Sequence, residues 1–120
     1  MAHIGGNTKG WVQVKSVEPD EYALDRTVWR NAFQKPLTGV LDLTGADVSH
    51  KLMKRVEDAE YIFLCDYTDL TVDGKKLNTE NSRMLIDGQI YEVLLYDDPM
   101  QLHEHLEIYL KYVGGQEDGG

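Results

Sequence analysis

From Trp11 to Val17 apolar and polar positions nearly alternate: Trp11, Val12, Val14, Ser16 and Val17 stand around Gln13 and Lys15. That is the period of a half-buried strand with one slip in it. Glu18-Pro19-Asp20 interrupts the run. A second strand is expected over Arg26–Phe33 around Val28 and Trp29, and a third over Leu37–Leu43, ended by Thr44-Gly45. The period then changes. Val48, Leu52 and Val56 recur every four residues, with Met53 and Ala59 widening the stripe and Lys51, Lys54, Arg55, Glu57 and Asp58 elsewhere. This predicts one amphipathic helix over Asp47–Ala59, with Asp47 as its N-cap. Tyr61–Cys65 is too apolar and too short for anything but a buried strand.

Tyr67–Ser82 is polar and carries the turn dipeptide Asp73-Gly74. Met84–Ile86, Asp87-Gly88 and Ile90–Tyr96 then spell a hairpin closed by a two-residue primed turn, because both central positions of that turn need positive φ. Asp97-Asp98-Pro99 ends its second arm. In the last segment, Leu102, Leu106, Tyr109, Leu110 and Val113 would make a helical stripe, and Leu106, Ile108, Leu110 and Tyr112 one face of a strand; periodicity leaves both open. The count of short strands predicts a mainly β fold, a small barrel or sandwich of six to seven strands with one inserted helix. Trp11, Trp29, Ile62, Leu64, Ile86, Val93, Leu95, Leu106 and Ile108 are the expected core. A disordered N-terminal arm (1–10), a single β domain (11–113) and a disordered tail (114–120) complete the expected organisation.

Charge changes this picture most. Twelve Lys and Arg against 21 Asp and Glu give the 120-residue chain a net charge of −9. Nucleic acid is held largely by neutralising phosphates, so the chain is a poor direct DNA binder. No apolar run is long enough to span a bilayer, and Met1–Gly10 lacks the basic and apolar regions of a secretory signal. The lone Cys65 forms no intramolecular disulfide and no cysteine-built zinc site, which suits a reducing cytosol.

Candidate chemistry is sparse. His103, His105 and Glu107 would share one face of a strand and could hold zinc, although solvated or interfacial positions explain them as well. Cys65 ends an apolar strand, where burial makes a thiol inert. Glu57-Asp58 and Asp97-Asp98 are neighbours in sequence, whereas acid–base pairs converge from separate elements. No phosphate-binding loop is present. No catalytic, cofactor-binding or metal residue is assigned, and the expectation is a protein that is not an enzyme and needs no cofactor.

Four stretches together resemble the head-tail joining family of tailed bacteriophages, the head-completion or stopper proteins of the connector. They are Thr27-Val28-Trp29 followed by Leu37–Leu43; the helical insert from Asp47 followed by Tyr61–Cys65; Arg83-Met84 followed by Asp87-Gly88-Gln89-Ile90-Tyr91-Glu92-Val93; and Asp98-Pro99 followed by Leu102 and Leu106-Glu107-Ile108-Tyr109-Leu110-Lys111. Tyr67–Ser82 is longer than the family's loop. The resemblance implies a small β-barrel with one helical insertion and makes the last segment, Glu104–Tyr112, a strand. It implies a twelve-fold ring in the virion, contacts with the portal or adaptor ring and with the tail-completion protein, DNA passing through without specific binding, and no membrane. It places the protein at the head-tail interface after assembly in the host bacterial cytoplasm. The insert, with Gly45, Asp47, Val48, Leu52 and Val56, would lie near the channel and close it. His103, His105, Glu107, Asp73 and Lys75 would serve subunit interfaces. The competing expectation is a small acidic binding module, either for a metal or as a DNA-mimicking inhibitor.

Overall fold

The computed structural model of the chain describes residues 6–43 and 59–115. Among the described residues nine strands occur in this order: β1 Thr8–Pro19, β2 Asp25–Asn31, β3 Leu37–Leu43, β4 Tyr61–Asp66, β5 Thr71–Val72, β6 Lys75–Lys76, β7 Ser82–Ile86, β8 Gln89–Asp97 and β9 His105–Gly115. The fold is mainly β. Seven strands form one antiparallel sheet in the order β2-β1-β3-β4-β9-β8-β7, and β7 also pairs with β1. A separate small hairpin joins β5 to β6. Among the described residues no α-helix occurs; a single 3-10 turn spans Pro99–Gln101. None of these elements is a helix long and apolar enough to cross a membrane.

Long β1 makes the return pairing possible. Its first residues, Thr8–Gly10, pair with Leu37–Gly39 of β3, and Gly10–Val14 pair on the other side with Ser82–Ile86 of β7. From Gln13 onward β1 pairs with β2 instead of β3. Beyond Lys15, whose N–H still donates to the Asn81 carbonyl at 2.8 Å, β1 and β2 leave the rest of the sheet as a two-stranded spur, and the molecule measures 49 Å in length against 27 and 26 Å across.

Alternate residues point into one core. Val12, Phe63, Cys65, Met84, Ile86, Val93, Leu106, Ile108 and Leu110 are each no more than 2% exposed. Space inside is short where β1 crosses: a Cβ on Gly10 would lie 2.4 Å from Met84 Cε. Leu70 and Leu77, from the stretch that reads as a polar loop, join this core and close one end of it. They are linked by Leu77 N–H donating to the Leu70 carbonyl at 2.7 Å. A second, smaller cluster lies apart from the main core and contains Ala59, Ile62 and Tyr109 with Leu64, Leu94 and Leu95 packed on it.

Several sequence expectations are corrected. Strand β1 begins at Thr8 and β9 runs to Gly115, so residues assigned to a disordered arm and tail are paired. Trp11 and Trp29 are half-buried and outside the core, because the inward phase of β1 is set by Gly10, Val12 and Val14. Ile62 and Leu64 belong to the second cluster, with Phe63 and Cys65 in the main one: a strand apolar on both faces carries no phase of its own, and pairing with β9 decides it. Leu95 moves to the second cluster through a register shift between Val93 and Leu95, which re-aims the strand beyond it. Of the helix expected over Asp47–Ala59 only Ala59 lies within the described residues, buried just before β4.

The expected hairpin is present with the expected chemistry. Asp87 and Gly88 have φ of 52° and 77°, and Asp73 and Gly74 repeat the pair at 52° and 78°. Both are primed turns, and the second is what folds the polar loop into β5–β6. The last segment is a strand, as expected from the resemblance.

Candidate functional site

The spur is built to stand out. At its tip Asp20 Oδ1 accepts hydrogen bonds from Tyr22 N–H (2.8 Å) and Leu24 N–H (2.9 Å), and Asp20 N–H donates to the Leu24 carbonyl (2.8 Å). One carboxylate thus fixes a tight loop in which Ala23 takes a φ of 61°. The loop holds Tyr22 76% exposed and Leu24 64% exposed, with Val17 63% exposed behind them. Along the spur Arg30 and Glu18 form an ion pair of 2.7 Å, and the hydrogen bonds from Arg30 hold the Glu18 carboxyl below the ordinary carboxylate range.

Where the spur leaves the sheet, a polar cluster buttresses it. Arg83 Nε donates to Gln13 Oε1 at 2.9 Å, Gln13 Nε2 donates to Asn31 Oδ1 at 3.2 Å, and the Arg83 guanidinium lies 4.2 Å from the centre of the Trp29 ring. Burial pushes the Arg83 pKa down. Beside this cluster runs a groove of about 580 Å³, with Trp29 and Arg83 on one wall and Ile90, Glu92, Leu94 and Val113 among its other lining residues. Val113 is 61% exposed. Its lining mixes apolar surface with a few polar groups.

The spur end of the sheet also carries a cleft of about 470 Å³, between the β5–β6 hairpin and the turn after β8. Met100, Gln101 and His103 there have φ of 56°, 55° and 57°, a conformation that costs non-glycine residues energy. Asp98 holds the turn: its Oδ1 accepts the His103 N–H at 3.0 Å, and its Oδ2 lies 3.1 Å from His103 Nε2. The imidazole stacks on Tyr67 with ring centres 4.5 Å apart.

These contacts separate the residues that the sequence groups together. His103 precedes β9 and turns towards Asp98 and Tyr67. His105 and Glu107 do share a face of β9, with His105 Nε2 3.1 Å from Glu107 Oε2; the other oxygen of Glu107 accepts from Tyr109 Oη at 2.8 Å. Burial first, then the bond to Glu107, drives the Tyr109 pKa upward. Among the described residues no three His, Cys, Asp or Glu gather so as to hold a metal ion, so the zinc reading of His103, His105 and Glu107 has no geometric basis. Cys65 is 1% exposed and its thiol is pushed up to about 12, mainly by burial and then by the Asp66 charge. Asp73 and Lys75 sit on the β5–β6 hairpin, with Lys75 exposed. Gly45, Asp47, Val48, Leu52 and Val56 lie outside the described residues.

Sequence reasoning missed the spur, which reads only as two strands with a break. The signal was there: Asp20 followed by backbone donors two and four residues on is an Asx-type loop. The Gln13–Arg83–Trp29 cluster left no such trace, because it depends on β1 pairing with β2 and β7 at once. No family model and no curated protein matches the chain.

Proposed function

We propose that the protein is a structural subunit of a tailed-phage head-tail connector, without catalytic activity, set in a ring below the portal and adaptor and offering a surface to the tail. We read the pairing that leads from β1 through β3, β4, β9 and β8 to β7 and back to β1 as a small closed β-barrel. The observation that carries the proposal is the two-ended layout of this sheet. The registers put the spur, the β5–β6 hairpin and the Pro99 turn at one end, and the start of β1, the Asp87-Gly88 turn and the ends of β3 and β9 at the other.

A subunit stacked between two different neighbours needs two different ends, and return of the ladder from β7 to β1 reduces the free strand edges among the described residues, which limits unintended pairing. The acidity supports the same role. A ring multiplies the net charge of −9, and an acidic bore keeps phosphates from adhering to its wall. The resemblance in Arg83-Met84 with Asp87-Gly88 and in Asp98-Pro99 with Leu106–Lys111 supports it from the sequence.

The test is genomic context. Portal and major capsid genes just upstream of the coding sequence are expected; a chromosomal setting with no virion genes would sink the proposal.

A further inference from the structure

We infer that the turn from Asp98 to His103 is a two-state clasp: latched by Asp98 it holds Leu102 in solvent, and released it lays Leu102 in the neighbouring cleft. The inference goes beyond the connector reading and does not depend on it. Met100, Gln101 and His103 stand at φ of 56°, 55° and 57°. In that region Cβ crowds the following carbonyl oxygen, so each position is strained. No apolar burial within the turn offsets this: Met100 is 86% and Leu102 57% exposed. Polar contacts keep the shape instead. Gln101 N–H donates to the Asp98 carbonyl at 2.8 Å, and the Asp98 carboxylate holds both the His103 N–H and, at 3.1 Å, its Nε2. The His103 side chain is 59% exposed, and an ion pair so open to water is a weak fastening. The stack of His103 on Tyr67 adds a contact between the turn and the rest of the molecule.

The cleft of about 470 Å³ beside the turn has an apolar floor in Leu70, Leu77 and Leu106, all buried members of the main core. Its polar lining includes Lys76 from the hairpin and Asp97 and Asp98 from the facing wall. Gln101 and His103 line the cleft, whereas Leu102 between them does not. Returning Gln101 and His103 to right-handed φ relieves their strain and turns the backbone between them, so that Leu102 faces the floor. Burying it there gains the hydrophobic free energy that the latched form forgoes.

Each arrangement holds something the other lacks. The latched form has the carboxylate contacts and the ring stack; the released form has a relaxed backbone and a buried leucine. An element with two such packings is bistable. The latched form presents Met100 and Leu102 at the end of the molecule that carries the spur, and the released form withdraws Leu102. A neighbour that touches Leu102 therefore selects the latched form through that contact alone.

The test is methyl NMR of the full chain with its leucines labelled. In the native chain the Leu102 methyls should show no contact with Leu70, Leu77 or Leu106. Asp98→Ala should bring such contacts, while the slow amides of β4 and β9 keep their protection. If Asp98→Ala does not fold, His103→Ala removes the ion pair and the ring stack and carries the same expectation. Gln101→Gly, added to the released variant, accepts the left-handed angle without strain and should weaken the contacts at least about threefold. Leu102 methyls that stay in solvent in the folded variant would overturn the inference. So would contacts already present in the native chain, or contacts indifferent to Gln101→Gly.

Discussion

At the scale of single residues, tight interior packing makes specific demands. Leu106 is 1% exposed and packs in the main core, so Leu106→Ala should lower stability by about 2–5 kcal/mol, seen as a lower denaturant midpoint. Gly39 is constrained by approach rather than turn geometry: a Cβ there would lie 1.9 Å from the Leu64 carbonyl oxygen. Gly39→Ala must therefore push β3 off β4, and a stable, unshifted variant would show that this pairing is wrongly placed. Two weak acids, the buried Cys65 and the half-buried Tyr96, give the protein an alkaline limit. Cys65 is raised from an ordinary 9.0 to about 12 by burial and by Asp66, and Tyr96 from 10.0 to about 12 by burial, against a lowering hydrogen bond from Ser82. Both stay protonated in the folded chain while the unfolded chain releases its protons. Their contribution is whole below pH 9 and is lost as pH rises from 9 towards 12, by up to about 1.4 kcal/mol per pH unit for each group. Urea melts between pH 8 and 11 should show the decline, and Cys65→Ala should flatten its first part.

At the scale of elements, the spur depends on its cap. Asp20→Ala removes the acceptor of two backbone hydrogen bonds, so amide exchange in residues 15–29 should quicken while the slowest core amides of β4 and β9 keep their protection. Uniform acceleration throughout the sheet would mean that the spur and the sheet unfold as one unit. What could be read beforehand follows the same division between local and non-local causes. Leu37–Leu43 and the Asp87-Gly88 hairpin are legible because local pattern and turn chemistry agree. The phase of Tyr61–Asp66 is not, since both faces are apolar and the partner strand decides. The β5–β6 hairpin is masked by its polarity: Leu70 and Leu77, with Val72 partly buried against the core, anchor it, too few to reveal a period. Of the candidate interface residues, Asp73, Lys75, His103, His105 and Glu107 were legible as polar and accessible types, whereas their separation onto a turn, a hairpin and a strand face depends on the folded backbone. The Trp29–Arg83 groove takes residues from β2, β7, β8 and β9, and nothing in any one of them announces it.

For the whole molecule, the proposed connector role makes charge as important to assembly as shape. Subunits of net charge −9 repel one another, so the isolated chain should sediment mostly as a monomer in low salt, with rings forming on a template that supplies the missing attraction. Stable rings of the chain alone at low ionic strength, where repulsion reaches furthest, would contradict this. On the proposed role, such template dependence would suit a component added late to a growing structure, between two different neighbours. The most direct measurement of that role is electron microscopy of particles assembled from a genome lacking this gene, with and without the purified protein added back. The connector account predicts heads without tails beside finished, unattached tails, and joining restored by the added protein. Normal tailed, DNA-filled particles in the deletion would contradict it.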